Sequence, residues 1–549
     1  MTPPTPDLSG IVGPDDVRGE AGTSLTPAIA RALGAAFADH QEAGPIIVAH
    51  DLRLSSDELA TAFVDGAVRR GSVVGVSGAG STDQLYCASG RHGTAGAMIT
   101  ASHNPASDNG IKLCGPGARP ISRDTGLEEI RRRAEHHLAQ GGIEAVGDGR
   151  TERVDTLEDY VDVMLSLVPV PEDRPLRVVV DAANAVAGLT VPAVARHLPT
   201  VDVVPLHFTP DGTFPNHPPN PTDPANLEDL RHAVRSERAD LGLAFDGDAD
   251  RCVLVDETGT PVPPSAVTAL IAVQEIARAR AAGEERPVVV ANLVSSRHVD
   301  EVIRQAGGRR IRSRVGHSRI KALMAEHDAV FGGEHSAHYY FRDFSFADSG
   351  LLAALHVLAA LAATDRPLSA LVAAHNPYPA SGEINSRVPD VDAAVDRVRT
   401  ALADVPGVRL DDLDGLTAVH WDEDADAAEN WWFSLRGSHT EPLLRLNVEA
   451  ASAATLERVR DAVLALVRDG ATTPTAPADD ADPEEGTMDE TASELPAWVM
   501  DRVRCPDCGG HLVPADGSLH CADCGRDITV EDGIPVLLPR AIAEGASGD

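Results

Sequence analysis

Short β-branched runs punctuate the first 470 residues. Pro45-Ile-Ile-Val-Ala49, Leu176-Arg-Val-Val-Val180 and Pro287-Val-Val-Val-Ala291 are such stretches, of strand length. They alternate with Ala- and Arg-rich stretches of helical period, such as 25–38 and 266–282, and the alternation of strand and helix predicts parallel sheets. The three strand-rich starts near residues 45, 176 and 287 lie at domain-sized intervals, which predicts related α/β units in series. Residues 376–470 read differently, with a helix, strands and a terminal helix over 453–468. The expected fold is therefore three similar mixed α/β domains (1–150, 151–257 and 258–375) followed by an α+β domain (376–470) around a central cleft.

Beyond that point the pattern fails. Residues 471–494 hold eight acids, no basic residue and almost nothing large and apolar, which predicts an extended, disordered linker over 471–497. Four of the seven cysteines then fall in the last fifty residues, so 498–549 is read as a separate small module.

A chain of 549 residues exceeds one cooperative core, in keeping with several domains. The 47 Lys+Arg against 84 Asp+Glu leave a net charge of −37, which opposes a nucleic-acid partner. No apolar run reaches membrane-spanning length, and the start MTPPTPDLSG lacks basic and apolar signal regions. A cytoplasmic protein without a membrane partner is expected. Only two of the basic residues are lysines, Lys112 and Lys321. An ammonium can release its proton where a guanidinium cannot, so the positions of these two matter.

Four segments carry chemistry. In Gly96-Ala-Met-Ile-Thr-Ala-Ser-His-Asn-Pro105, an apolar strand runs into a loop of hydroxyl, imidazole and amide groups. Ser102 is the candidate nucleophile, with His103 beside it and Lys112 ten positions on; converging backbone N–H groups there would stabilise a phosphoryl group. A Ser/Asn turn without chemistry is the plainer reading. In Asp240-Leu-Gly-Leu-Ala-Phe-Asp-Gly-Asp-Ala-Asp-Arg251, Asp246, Asp248 and Asp250 alternate between apolar runs, so in extended or gently looped backbone their carboxylates converge on one face. Three such carboxylates repel unless a cation sits among them, and hard oxygen ligands point to Mg²⁺. An EF-hand is disfavoured because Arg251 stands where glycine is needed. In Gly332-Gly-Glu-His-Ser-Ala-His-Tyr-Tyr-Phe341, Glu334, Ser336 and His338 alternate in a glycine-led loop suited to sugar hydroxyls. Upstream lies Gly316-His317 ahead of Lys321. In Leu435-Arg-Gly-Ser-His-Thr-Glu-Pro-Leu-Leu-Arg445, the Arg436 fork and the Gly-Ser-His-Thr turn after it form a candidate phosphate cradle.

Taken in chain order, these segments resemble the α-D-phosphohexomutases over residues 10–470. The resemblance implies a phosphoserine at Ser102 that passes its phosphoryl group to a hexose phosphate through a hexose 1,6-bisphosphate, which also serves as activator. It implies Mg²⁺ held by that phosphoserine with Asp246, Asp248 and Asp250. Arg18, His103 and Lys112 would lie at the catalytic centre with Arg251 beside the transferring phosphate, and Lys112 or His338 would assist proton transfer. Gly316, His317, Glu334, Ser336 and His338 would meet the sugar, and Arg436, Ser438, His439 and Thr440 the non-reacting phosphate. Within the family, the run from Gly333 to Phe344 looks most like bacterial phosphomannomutases, with phosphoglucomutase or dual use as the alternative. His439 replaces the usual Asn, and Asp15 precedes Asp16-Val-Arg-Gly where many relatives carry an aromatic residue. On the expected strand 291–297, some relatives place a lysine near Val294.

Cys505-x₂-Cys508-x₁₂-Cys521-x₂-Cys524 is the spacing of a Cys₄ Zn²⁺ site, a zinc ribbon. With Thr529–Leu538 it resembles Trm112-like modules, some of which act as partner subunits, so a protein partner for the module is an expectation. Two other classes stay open: a Mg²⁺-dependent sugar phosphatase using Ser102, and a non-catalytic scaffold.

Overall fold

The protein is described here by a computed structural model covering residues 6–403, 405–422, 427–437 and 443–468, and Cys505, Cys508, 511–515, 518–531 and 534–535. The chain divides into two compact units, Met1–Ala471 and Thr472–Asp549. Among the described residues, no helix is long and apolar enough to cross a membrane.

The expected strands form as Ile46–His50, Leu176–Asp181 and Val288–Asn292. Each sits inside its sheet, paired on both edges and buried along most of its length, which is why it reads as a largely apolar run; Arg177 in the second is exposed. The expected helices form as Pro27–His40, Pro264–Ala281 and Ala453–Arg468. Local chemistry fixes several ends. Thr26 caps the first helix by accepting from the Ile29 amide, with Pro27 at the start. The expected strand 291–297 is corrected: it stops at Asn292, and Ser296 caps a helix Arg297–Gln305 by accepting from the His298 amide at 3.2 Å. The serine's competing hydrogen bond favours a cap over continued strand.

Three sheets repeat one arrangement. In the first, Val73–Ala79, Ile46–His50 and Ala95–Ile99 are parallel, and Asp108–Gly115 runs antiparallel against the last of them. The second repeats this with Val201–Leu206, Leu176–Asp181, Leu241–Phe245 and antiparallel Cys252–Asp256. The third repeats it with Arg309–Ser313, Val288–Asn292, Phe331–Gly333 and antiparallel Tyr339–Phe341. In each, a short loop joins the last parallel strand to its antiparallel neighbour at the carboxyl end of the sheet, where α/β folds bind ligands. These three loops are 100–107, 246–251 and 334–338, the same segments singled out above. The fourth sheet, Ala380–Arg387, Leu443–Ala450, Trp431–Gly437, Leu416–His420 and Arg409–Asp411, is wholly antiparallel and packs with two helices.

One buried apolar cluster runs through the second and third sheets and takes in Cys114 of the first sheet with Tyr86 and Cys87 of the helix Thr82–His92, whereas the fourth sheet has its own core. Asp83 marks the junction: it accepts from Ser349 Oγ at 2.6 Å, from Tyr160 OH at 2.8 Å and from Ser81. Burial pushes its carboxyl up to about 6, against the opposing pull of the three hydroxyls. The raised value sets the sign. Below 3.8 both folded and unfolded chains hold the proton; between 3.8 and about 6 only the folded chain does, so stability falls as pH rises through that window. We expect the stability of the wild type relative to Asp83→Asn to fall by at most roughly 3 kcal/mol across it. Urea midpoints measured at several pH values check this, and a constant difference contradicts it.

Candidate active site

The first loop is built on strained backbone. Ser102 is buried with φ 53°, a left-handed conformation uncommon for a residue with a Cβ. Its amide donates to Thr100 Oγ1 at 2.9 Å, and its hydroxyl donates to Asp246 Oδ2 at 2.6 Å and lies 3.3 Å from His103 Nδ1. Arg53 holds this shape: its guanidinium donates to the carbonyls of Ser102 (2.7 Å), Asn104 (2.8 Å), Pro105 (2.5 Å) and Asp108 (2.9 Å). Asp51 pairs with Arg53 at 3.1 Å and takes Thr100 Oγ1 at 2.6 Å, while the Phe214 ring lies 5.2 Å beneath the guanidinium. Neither Asp51 nor Arg53 was singled out from the sequence. Their signal was available: Asp-Leu-Arg follows directly on an apolar strand, where two charges need a reason to be buried.

The second loop meets the first at close range. A Cβ on Gly247 would strike the Ser102 carbonyl oxygen and lie 3.5 Å from Pro219. Asp246, Asp248 and Asp250 are all buried, and one oxygen from each lies within 4.8 Å of the others. Of the two backbones expected, extended or gently looped, the looped one gathers them: the strand ends at Phe245, and a turn with Ala249 at φ 59° brings the carboxylates round. Lys112 Nζ bridges Asp248 Oδ2 at 2.7 Å and Asp250 Oδ2 at 2.5 Å, and Thr82 Oγ1 donates to Asp248 at 2.5 Å. Asp248 Oδ1 and Asp250 Oδ1 are buried without a hydrogen-bond partner. Such oxygens are costly unless a cation completes them.

The charges act strongly on one another. Burial pulls the Lys112 ammonium down, but Asp248 and Asp250 outweigh it and its pKa rises. Burial lifts Asp246 well above the usual carboxylate range, helped by the charges of Asp250 and Asp248. Burial also lifts Asp250, yet Lys112 and His338 carry it well below. Arg251, with burial and Arg18, holds the His103 imidazole down at about 2, so the ring is neutral.

The third loop closes on the second through a bridge between Arg251 and His338. Arg251 Nε donates to His338 Nε2 at 3.1 Å, and that nitrogen is 3.6 Å from Asp250 Oδ1. His338 Nδ1 lies 2.9 Å from Ser336 Oγ. Glu334, 2% exposed, accepts from Tyr340 OH at 2.7 Å and from the Gly316 amide at 3.2 Å. His317 is half-buried, and desolvation with the Lys321 charge presses its pKa down. Arg18 pairs with Asp16 at 2.8 Å and donates to the Ala101 carbonyl, and Asp15 accepts from Ser318. The two lysines meet different carboxylates: Lys321 pairs with Asp348 at 2.6 Å over the Tyr86 ring, and Asp348 in turn has an oxygen within 4.8 Å of Asp250 and His338.

Arg18, Ser102, His103, Lys112, the three aspartates, Arg251 and His338 thus form one connected set, joined to Ser336, Glu334 and Gly316. Arg436 stands on the fourth sheet, 3.2 Å from Glu383, which also pairs with Arg445 at 3.3 Å. Ser438, His439 and Thr440 lie outside the described residues.

Residues 9–140, 158–259 and 264–378 match the alpha/beta/alpha domains I, II and III of phosphoglucomutase/phosphomannomutase, and 383–466 match its C-terminal domain. A phosphomannomutase of Escherichia coli is 36% identical over 462 residues, spanning 82% of this chain and 98% of that protein. The chain belongs to the phosphoglucomutase/phosphomannomutase family. An enzyme of Xanthomonas campestris described as phosphohexose mutases is 39% identical over 450 residues, 81% of this chain and 96% of its own. The crystal structure of a family member from Burkholderia thailandensis superposes with a TM-score of 0.73 at 29% identity, covering 85% of this chain and 98% of that one.

The four family segments end at residue 466, and the cysteine module follows. There Cys505 and Cys524 Sγ are 3.6 Å apart and Cys508 and Cys521 Sγ 3.5 Å, with all four sulfurs mutually within 4.8 Å.

In this phosphohexomutase, Arg53→Lys leaves too few donors for four carbonyls. Misplacement of the loop is expected to lower kcat about 100-fold. Steady-state rates beside a melting curve check it; an unchanged kcat would show that the loop keeps its shape without the guanidinium.

Proposed function

We propose that this mutase interconverts mannose 6-phosphate and mannose 1-phosphate through a phosphoserine at Ser102 and a hexose 1,6-bisphosphate. The observation that carries the reading is the Ser102 hydroxyl, 2.6 Å from Asp246 in a buried carboxylate triad with two unpartnered oxygens. That donor set fits Mg²⁺, held by Asp246, Asp248, Asp250 and the serine phosphate. Bound there, Mg²⁺ supplies positive charge to the transferring phosphoryl oxygens.

The chain's own groups divide the remaining work. The bond from phosphorus to Ser102 Oγ breaks as the bond to a sugar hydroxyl forms. The proton leaving that hydroxyl is matched by one returned to Ser102 Oγ, so no net proton leaves the cleft. His338 takes and returns the proton through its imidazole, beside Arg251. Lys112 is held as an ammonium by Asp248 and Asp250, and an ammonium has no lone pair to accept with; its part is charge, not base. Arg18, His103 and Arg251 border the phosphoryl group. Glu334, Ser336, Gly316 and His317 face the sugar, with mannose and glucose sharing the hydroxyls that Glu334 reads. Arg436 with Ser438, His439 and Thr440 grips the phosphate that does not react. Domains at 1–150, 151–257, 258–375 and 376–470 fit this division. The separate core of the fourth sheet supports its closing as a lid while the bisphosphate turns.

The module from 498 is read as a zinc ribbon. Zn–S bonds of about 2.3 Å in a tetrahedron place sulfurs about 3.8 Å apart, close to the separations seen. So small a module folds on its metal and offers a surface for a protein partner.

Three outcomes follow. Ser102→Ala and Asp248→Asn are expected to abolish conversion of mannose 6-phosphate in a panel of hexose phosphates assayed with Mg²⁺ and bisphosphate; full activity in both ends the mutase reading, and release of inorganic phosphate in its place would favour a phosphatase. Small-angle scattering is expected to show compaction on adding bisphosphate, and an unchanged profile counts against the lid. Chelation is expected to release one zinc per chain from the cysteines and unfold the module while mutase activity in Mg²⁺ persists, whereas a zinc-free purified module would refute the ribbon.

A further inference from the structure

The second α/β domain carries a cluster that phosphoryl transfer does not use. Asp181 ends the strand Leu176–Asp181, and His207 follows its parallel neighbour Val201–Leu206. The register sets Asp181 opposite Leu206, so residues 181 and 207 leave the sheet side by side at its carboxyl edge. His217 comes back to the same place from the loop beyond. One ligand atom from each of Asp181, His207 and His217 lies within 4.8 Å of the others. Asp181 is buried, and the two imidazoles are 11% and 14% exposed, which leaves a path from solvent.

The hydrogen bonds prepare these groups for a cation. His217 Nδ1 lies 2.8 Å from the Pro218 carbonyl, so it carries a proton, and Nε2 points at Asp181 Oδ2 from 2.9 Å. A bare Nε2 facing a carboxylate oxygen is repulsive, so Nε2 carries either a second proton or a metal ion there. Asp181 Oδ1 is fixed by the Ala183 amide at 2.8 Å. His207 has φ 53°, and its Nε2 lies 3.1 Å from Asp229 Oδ2. The two rings meet edge to face at 5.4 Å. A histidine whose second nitrogen is tied to a carbonyl, and another braced by a carboxylate, are what surround ligands in metal sites.

We infer that Asp181, His207 and His217 bind a divalent transition-metal ion of the Zn²⁺ class, with Asp229 orienting His207 or joining as a fourth ligand. Two imidazoles with one carboxylate suit such an ion, whereas Mg²⁺ prefers the all-oxygen triad around Asp248. The ion would act on structure. It ties residues 207 and 217 to the strand end at 181, and Phe214, between them, lies beneath Arg53. Pro219, just beyond, abuts Gly247 of the aspartate loop. Filling the site would therefore stiffen the segment that braces both catalytic loops.

The test uses the full chain, stripped with chelator and reloaded with Zn²⁺ in excess Mg²⁺. Metal analysis is expected to find one more zinc per chain in the wild type than in His207→Asn or His217→Asn, and equal contents overturn the inference. His207→Asn keeps a residue that tolerates left-handed backbone, and its melting curve establishes that it folds. Independently of any variant, wild-type crystals grown with Zn²⁺ are expected to give an anomalous peak at the zinc edge bonded to Asp181 and His217. The lack of a peak there overturns it too.

Discussion

Three buried carboxylates that cannot be left to repel one another are the constraint around which this molecule is arranged. Asp246, Asp248 and Asp250 are gathered by a turn that excludes water, and like charges at such range are tolerated only with compensating positive groups. The chain meets part of the need with Lys112, placed between Asp248 and Asp250, and with Arg251 beside Asp246. It leaves two carboxylate oxygens without hydrogen-bond partners. The same deficit that makes the site costly in isolation fits the Mg²⁺ site proposed above.

The repeated topology explains how such a site can be assembled at all. Three sheets with one strand order each present the loop before their antiparallel strand. The first contributes the serine, the second the carboxylates and the third the imidazole of His338. Positioning comes from outside these loops: Arg53 ties four carbonyls of the first, Gly247 lets the second approach it, and a bridge from Arg251 to His338 joins second and third. The shared core of the second and third sheets makes a firm platform, and the fourth sheet, with a core of its own, carries Arg436.

Much of this was legible in the chain. Central strands such as Val288–Asn292 announce themselves because burial on both faces demands unbroken apolar residues, and the helix Ala453–Arg468 shows its period along its whole length. The loops stood out because polar and charged residues interrupt such runs. What could not be read was long-range. Asp51 and Arg53 look like an ordinary strand end until the loop 49 residues later folds over them, and Asp83 reveals its junction only when Ser349 arrives from the third domain. The curvature that gathers the aspartates came from a left-handed alanine, which no periodicity announces. Lys321 shared Lys112's rarity but not its place, because rarity marks a residue without saying which carboxylate it will meet.

Phosphoryl exchange by the proposed mechanism requires a phosphate carried at one serine beside the carboxylate triad, and phosphopeptide mapping tests that directly. After incubation of the full chain with glucose 1,6-bisphosphate and Mg²⁺, the phosphate is expected on Ser102 and is expected to disappear when mannose 6-phosphate is added. A chain that turns substrate over while Ser102 never carries phosphate, or carries it only elsewhere, would contradict the account.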